Sequence, residues 1–231
     1  TKIEQIKHPA VRETMRLLGI SGGIEITYAA DLPARTGLGA SSAFIVGLLN
    51  ALRVMKGQNP GKAELARDAI RIEQEMVGEA VGSQDQTAAA HGGLNRITFS
   101  EDRITVTPLE LPPERVATLE SHLLLYFTGI FRRAPEIAAD QISHIPDHKA
   151  AMRTMRDMVD EGIKVLRADG ALDDIGRLLH ESWQLKRTLS GRITNPTIDG
   201  IYAAAREAGA LGGKLLGAGG GGFMLFFVRP E

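Results

Sequence analysis

Two glycine-rich segments and two isolated carboxylates are the features of this sequence that could do chemistry. The first glycine segment, residues 33–43, reads PARTGLGASSA and precedes a strongly amphipathic stretch. Glycines allow a tight turn and close approach to a ligand, and a helix that starts there offers free N–H groups and the positive end of its dipole. This combination favours phosphate binding, with a hydroxyl of Ser41 or Ser42 available to a phosphate-bound Mg²⁺. A plain turn with a serine N-cap is the alternative.

Glu73 and Asp85 are the two acidic residues whose surroundings suggest a role beyond the surface. Glu73 is four residues from both Ala69 and Val77, which places it beside the inward face of a predicted helix, where a carboxylate needs a cation or donors. Mg²⁺ held by one carboxylate, a hydroxyl and ATP phosphates would meet this need. An edge glutamate that reaches water or pairs with an arginine is the alternative. Asp85, in a glycine-bracketed loop, is either a helix N-cap or the group that orients or deprotonates a hydroxyl nucleophile.

The second glycine segment, residues 217–222, reads GAGGGG and contains a GxGxxG match. A dinucleotide-binding fingerprint follows a strand and opens a helix, whereas this segment follows a predicted helix and runs into an apolar strand. We therefore reject that interpretation. Glycines this dense before a strand indicate close approach to another loop or to a ligand.

The remaining pattern interleaves helices and strands, which predicts an α+β chain with two lobes. Two prolines at 112 and 113 stop both helices and strands, and they predict a division into domains 1–112 and 113–231. Apolar spacing and turn residues predict the following elements: helices at 9–18, 44–55, 60–77, from about 135, 152–166, 172–189 and 197–208, and strands at 24–28, 94–99, 103–109, 122–127 (buried) and 223–228.

Composition excludes several classes of function. The chain has 231 residues with 27 Lys+Arg against 28 Asp+Glu, a net charge of −1, which disfavours a nucleic-acid binder or an anionic-membrane binder. It has no cysteine, so disulfides, thiolate metal sites and cysteine nucleophiles are excluded. No apolar run is long enough to cross a bilayer, and the polar start lacks a signal region, so we predict a cytoplasmic protein.

Three segments of the sequence together resemble the GHMP kinases, the superfamily of galactokinase, homoserine, mevalonate and phosphomevalonate kinases. They are TGLGASSAF, Glu73 with GEAVGSQDQ, and KLLGAGGGGF. Their order and spacing are similar to those of the family over nearly the whole chain. Within this superfamily, the sequence is most similar to sugar kinases that act on D-glycero-D-manno-heptose 7-phosphate. The segments that carry this similarity are PARTGLGASSAF, GSQDQ, FTGIFRRA and NPTIDGIYAAAREAGALGGKLLGAGGGGF. The resemblance implies a ribosomal-protein-like N-terminal lobe and a ferredoxin-like α+β C-terminal lobe. It also implies that an N-terminal stretch of the full protein is absent, since nothing like the family's first motif precedes residue 24.

The resemblance also implies cofactors and roles. ATP and Mg²⁺ would be the cofactors, with Mg²⁺ on Glu73 and on Ser41, or on neighbouring Ser42; Asp85 would be the catalytic aspartate. The substrate would be a small sugar phosphate, phosphorylated on its anomeric hydroxyl to heptose 1,7-bisphosphate for lipopolysaccharide or capsule. The residues implied for ATP phosphates are Gly37, Leu38, Gly39, Ala40, Ser41, Ser42, Gly219, Gly220 and Gly221, with Gly222 alongside; those implied for substrate are Asp85, Arg132 and Gly219.

Three alternatives remain open at this point. One is another GHMP kinase, acting on fucose, galactose or a mevalonate-type acid. A second is a non-catalytic, ligand-binding member of the fold, which the intact Glu73 and Asp85 disfavour. The third is an RNA-binding module, which the charge of −1 disfavours. From the charge and the lack of a long apolar run, we predict no nucleic-acid or membrane partner, and a homodimer stays open.

Overall fold

The computed structural model describes residues 2–31, 36–131 and 134–230, with the backbone alone at 134–136. The chain divides into two compact units, one formed by residues 1–34 and 39–109 and the other by residues 35–38 and 110–231. The short segment 35–38, which includes Gly37, is thus grouped with the C-terminal unit.

The first unit is mainly helical, and its helices follow from apolar spacing and punctuation. In α2, the buried Ile45, Leu49 and Leu52 recur every three or four residues, as one face of a helix requires. Pro9 opens α1, and Gly19 follows its end with φ +63°. The helices are α1 (Pro9–Leu17), α2 (Ala40–Met55), α3 (Lys62–Arg71) and α4 (Gln84–His91), with a 3₁₀ turn at Ile3–Gln5 and a π-helical turn at Ile72–Val77.

The first unit also contains the predicted hairpin. Strands β1 (Asn95–Phe99) and β2 (Ile104–Pro108) pair antiparallel, which confirms the prediction at 94–99 and 103–109. The predicted strand at 24–28 is wrong. Ile24 and Ile26 pack partly against the core as their alternation indicates, but within the described residues no neighbouring strand pairs with this segment.

The second unit packs helices on a three-stranded antiparallel sheet in the order β3-β5-β4. Helix α8 packs on β4 and β5, and its Trp183 is fully buried against the sheet's apolar core. The strands are β3 (Leu123–Phe127), β4 (Gly212–Leu215) and β5 (Phe223–Phe227), and the helices are α5 (Pro113–Ser121), α6 (Ala134–His144), α7 (Lys149–Arg167), α8 (Asp173–Arg187) and α9 (Pro196–Glu207), with a 3₁₀ turn at Ile145–His148.

Strand β4 was not predicted, because its Gly-Gly start is unusual in a strand. Its glycines are explained by packing: a Cβ on Gly212 would lie 1.8 Å from the carbonyl oxygen of Gly176 in α8. A Cβ on Gly213 would lie 2.5 Å from the ring of Phe226 in the neighbouring strand. Helix α8 therefore approaches β4 closely because Gly212 has no side chain, and the missing side chain of Gly213 leaves room for Phe226.

Strand β3 forms where predicted, but the prediction that it is buried is wrong. Leu124, Leu125 and Tyr126 are 51%, 51% and 48% exposed. The reason is that β3 is an edge strand of the described sheet. It has a neighbouring strand, β5, along one of its edges only. Separately, no helix in the described ranges combines the length and apolarity that crossing a bilayer requires.

Candidate active site

The start of α2 is shaped by two glycines in the left-handed region. Gly37 has φ +85° and Gly39 has φ +69°, conformations that residues with a Cβ rarely adopt. Gly39 is the N-cap position of α2. An α-helix leaves its first N–H groups without intrahelical acceptors, and a glycine has no side chain with which to cap them. The first turn of α2 therefore presents backbone donors suited to an anion.

Ser42 and Glu73 form a buried hydrogen bond behind this helix start. Ser42 Oγ donates to Glu73 Oε2 at 2.7 Å, and the two residues are 6% and 2% exposed. Ser42 shares its helix face with Ile45 and Leu49, three and seven residues on, so it points inward. Ser41 is rotated away from that face and is exposed. Of the two serines that the resemblance left open as Mg²⁺ ligands beside Glu73, Ser42 is the one that contacts Glu73. Which serine binds the ion stays a prediction.

Glu73 reaches this position from a widened helical turn. Helix α3 continues into the π-helical turn Ile72–Val77, which ends at Gly78 with φ +79°, in agreement with the predicted helix at 60–77. The backbone N–H of Glu79 donates to the Glu73 carbonyl oxygen at 2.9 Å and closes the turn. Single π-helical turns inside helices often occur at functional sites. The predicted inward position of Glu73 is confirmed.

Gln86 is the member of this group that the sequence did not indicate. Its Nε2 donates to Glu73 Oε2, and the residue is completely buried. Its partner precedes it by 13 residues, so the contact depends on how α4 packs on the π-helical turn. The loop before α4 is held by Gln74, whose Nε2 donates to the Val81 carbonyl at 2.9 Å and to Ser83 Oγ at 3.2 Å.

Asp85, one residue before Gln86, lies against the start of α2. A Cβ built on Gly39 would be 3.2 Å from Cβ, Cγ and Oδ2 of Asp85. The Asp85 side chain is exposed, in contrast to its buried neighbour Gln86. The fold therefore brings together the helix start, Glu73 and Asp85, which the sequence separates widely. An exposed carboxylate beside a ready anion-binding helix start can interact with a hydroxyl of a bound molecule.

The electrostatics of this region favour a cation. Burial, and next the negative charge of Glu73, raise the pKa of Glu79 above its ordinary range. No group of three His, Cys, Asp or Glu side chains forms a metal site among the residues described. A cation at Glu73 would therefore take further ligands from hydroxyl groups and from the bound molecule. Carboxylate, hydroxyl and phosphate oxygens are hard ligands of the kind that Mg²⁺ prefers, so the residues present fit this ion.

The second glycine segment packs tightly within the second unit. A Cβ on Gly219 would lie 2.8 Å from the Cα of Ile193, and one on Gly222 would lie 2.1 Å from the carbonyl oxygen of Thr36. That same Thr36 oxygen accepts a hydrogen bond from the N–H of Phe223 at 3.0 Å. Close approach to other loops, one of the two interpretations of these glycines, is what these contacts show. The roles of Gly219, Gly220 and Gly221 toward a nucleotide stay predictions.

A buried lysine binds the backbone where the second glycine segment begins. Lys186 Nζ of α8 donates to the carbonyl oxygens of Leu215 at 3.2 Å and of Gly217 at 2.5 Å. Gln141 of α6 donates to the carbonyl of Ala218. The two side chains thus bind backbone carbonyls at the end of β4 and in the segment that follows it, contacts that the sequence pattern did not indicate. Arg132, predicted to contact an anionic substrate group, lies outside the described residues.

Comparison with known proteins identifies the family. Two family models, described as GHMP kinases N terminal domain and GHMP kinases C terminal, match residues 5–93 and 163–231, which together are more than half of the chain. The chain belongs to the GHMP kinase family, and its α+β architecture is the fold of that family, as predicted.

Among individual proteins, the chain is similar to several sugar kinases. The chain is 36% identical over 207 residues to the D-glycero-alpha-D-manno-heptose 7-phosphate kinase of Campylobacter jejuni, covering 88% of this chain and 60% of that protein. It is 27% identical over 217 residues to the bifunctional fucokinase/GDP-fucose pyrophosphorylase of Arabidopsis thaliana, covering 90% and 20%. The crystal structure of a D-glycero-D-manno-heptose 1-phosphate kinase from Bacteroides thetaiotaomicron superposes with a TM-score of 0.63 at 28% identity, covering 98% and 66%. The chain thus spans about 60% of the length of the Campylobacter relative.

Proposed function

We propose that the protein containing this chain is an ATP-dependent sugar kinase that phosphorylates the anomeric hydroxyl of D-glycero-D-manno-heptose 7-phosphate to the 1,7-bisphosphate. The observation that carries the proposal is the buried Ser42–Glu73 pair behind the start of α2, with Asp85 against Gly39 at the same helix start. Family membership supports the reaction class, and the 36% identity to a heptose 7-phosphate kinase supports the substrate.

The backbone at the start of α2 would bind the phosphates of the donor. Residues 37–42 supply N–H groups and a helix dipole without a side-chain cap, and both favour negative charge. Bound ATP would supply the phosphoryl group, and Mg²⁺ would offset the charge of its phosphates. Glu73, with Ser42 or Ser41, would hold the ion through hard oxygen ligands.

Asp85 would act on the acceptor. In the transfer, the anomeric oxygen gains a bond to the γ-phosphorus, the bond from that phosphorus to the departing ADP breaks, and the hydroxyl proton must leave. An exposed carboxylate next to the helix start can accept that proton or orient the hydroxyl. Because an anomeric hydroxyl is more acidic than an ordinary alcohol, orientation is the larger part of this role. Arg132 would contact an anionic group such as the 7-phosphate, since arginine forks suit phosphate.

A second candidate is a kinase for fucose or another unphosphorylated sugar. The 27% identity to a bifunctional fucokinase over 90% of the chain favours it. The two candidates differ in whether the substrate carries a phosphate distant from the reacting hydroxyl.

The experiment is a substrate panel with the full-length protein. ADP release is measured with heptose 7-phosphate, the unphosphorylated heptose, mannose, fucose and galactose, and ³¹P NMR identifies the phosphorylated position of each product. We expect the highest kcat/KM for heptose 7-phosphate and a new phosphate on the anomeric carbon. Equal or higher kcat/KM for fucose or galactose would transfer the assignment to the second candidate. Absence of ATP turnover with every sugar would contradict both.

A further inference from the structure

Gln86 leaves one polar atom of the candidate site unpaired. The side chain is completely buried, and its Nε2 donates to Glu73 Oε2. Its Oε1 is also buried, and no donor for it is found in the described part of the chain. Buried polar atoms in folded proteins nearly always have a partner, so an unpaired acceptor indicates a donor that arrives with water, an ion or a ligand.

The orientation of the Gln86 amide follows from its neighbour. Rotating the amide by half a turn would place Oε1 against the Glu73 carboxylate, which is also an acceptor, and would lose the hydrogen bond. The N–H side must therefore face Glu73, and the carbonyl side must face away from it. Ser42 and Gln86 both donate to Oε2 of Glu73. The second oxygen, Oε1, takes part in neither bond, so the carboxylate is fixed by one oxygen and keeps the other for a further ligand.

We propose that Gln86 is a positioning residue for a divalent cation at Glu73, an inference that rests on the proposed function. Its N–H group holds the carboxylate, and its carbonyl oxygen accepts a hydrogen bond from a water that the cation carries. Mg²⁺ dehydrates reluctantly and keeps several of its waters in proteins, so such a donor accompanies the ion. Residues that orient a metal ligand or its water affect metal affinity without touching the metal.

The test measures how much a metal strengthens nucleotide binding. Calorimetric titration of the full-length protein with AMPPNP, a non-hydrolysable ATP analogue, is run once with Mn²⁺ and once with EDTA. Gln86→Met keeps the side-chain length and removes both amide groups. We expect the metal-dependent gain in affinity to fall by about 10–100-fold, the range for residues that orient metal ligands, with the affinity in EDTA unchanged. Gln84→Met, an exposed position on the same helix, is the matched control and should keep the gain.

The outcomes separate this inference from the proposed function. A wild-type protein whose AMPPNP affinity does not depend on Mn²⁺ would contradict both. A wild-type gain that Gln86→Met retains in full would overturn the role of Gln86 alone. An equal loss of affinity with and without Mn²⁺ would also overturn it, since a general packing defect acts on both.

A second variant covers the case in which Gln86→Met does not fold. Gln86→Glu keeps an oxygen but places a second carboxylate beside Glu73, where the two charges repel each other until a cation binds. In the presence of AMPPNP and EDTA, we expect this variant to melt at a lower temperature than wild type. When Mn²⁺ replaces EDTA, its melting temperature should rise by more than that of wild type. A rise equal to or smaller than that of wild type would overturn the proposal.

Discussion

Ser42 Oγ lies 2.7 Å from Oε2 of Glu73, although 31 residues separate the two in the chain. The contact joins the first turn of α2 to the π-helical turn that follows α3. It therefore fixes a carboxylate directly behind the backbone donors of a helix start. A hydrogen bond to a buried charged group stabilises a protein more than one between neutral groups.

Replacing the two adjacent serines should separate their contributions. Ser42→Ala should lower the free energy of unfolding by about 1.5–3 kcal/mol, because Glu73 loses a buried donor. Ser41→Ala should change it by less than about 0.5 kcal/mol, because that side chain is exposed. Urea unfolding of both variants measures the difference. Equal effects of the two substitutions would contradict the assignment of the contact to Ser42.

Asp85→Asn should slow the chemical step without weakening nucleotide binding. The neutral amide orients the hydroxyl without a charge-assisted hydrogen bond and cannot accept its proton, so kcat should fall by roughly 10²–10⁴-fold, the range for a positioned acid–base group. The affinity for AMPPNP should stay at the wild-type value, because Asp85 is assigned to the acceptor hydroxyl. Asp102→Asn, the same substitution at an exposed hairpin turn, is the control for kcat. Wild-type turnover by the Asp85 variant would remove that residue from the mechanism.

Apolar spacing and turn residues predicted the elements that depend on neighbouring residues in the sequence. The apolar spacing of the predicted helix at 44–55 corresponds to α2, and the strands predicted at 94–99 and 103–109 correspond to the β1–β2 hairpin. Strand β4 escaped prediction because its glycines are selected by contact with Gly176 and Phe226, which lie far away in sequence or on a neighbouring strand. The strand predicted at 24–28 failed for a related reason, since a ladder needs a partner that periodicity does not supply.

In the candidate site too, some residues could be predicted from the sequence and others depend on contacts between distant segments. Glycine density and an acidic position beside the inward helix face made the start of α2 and Glu73 candidates in the sequence, and the family resemblance added their expected roles. Which of Ser41 and Ser42 contacts Glu73 follows from the rotational position of each residue on α2, and that position depends on where the helix begins. Gln86 had no distinguishing signal, because an amide acquires its role only from the carboxylate that packs beside it.

Two glycine substitutions should have opposite effects on stability. Gly222 has φ +96°, and a Cβ there would lie 2.1 Å from the Thr36 carbonyl oxygen. Gly222→Ala should therefore destabilise by roughly 2 kcal/mol or more, from backbone strain and overpacking. Gly47 lies inside α2 with open space around it, so Gly47→Ala should stabilise by about 0.5–1 kcal/mol. Thermal unfolding checks both signs, and a stabilised Gly222 variant would show that the contact with Thr36 is not rigid.

The stability of the second unit should fall on acidification because of His180. Burial, and next the positive charge of Arg206, lower the pKa of His180 below its ordinary 6.5. His180 Nδ1 lies 2.6 Å from the Tyr202 hydroxyl, which can donate only to an unprotonated ring nitrogen. The unfolded chain therefore binds a proton before the folded chain does. Stability is full above pH 6.5 and is lost as the pH falls through the folded-state pKa of His180.

Fluorescence of Trp183 measures this effect in the second unit, because it is the single tryptophan of the chain and lies 6.2 Å from the Tyr202 ring. Denaturant unfolding is followed at pH 7.5 and at pH 5.5 in wild type and in His180→Gln. Glutamine can still accept the tyrosine hydrogen bond but does not titrate, so the variant should lose less stability between the two pH values. His144→Gln, at an exposed position of the same unit, should keep the wild-type dependence. An unchanged acid dependence in the His180 variant would show that other groups cause the loss.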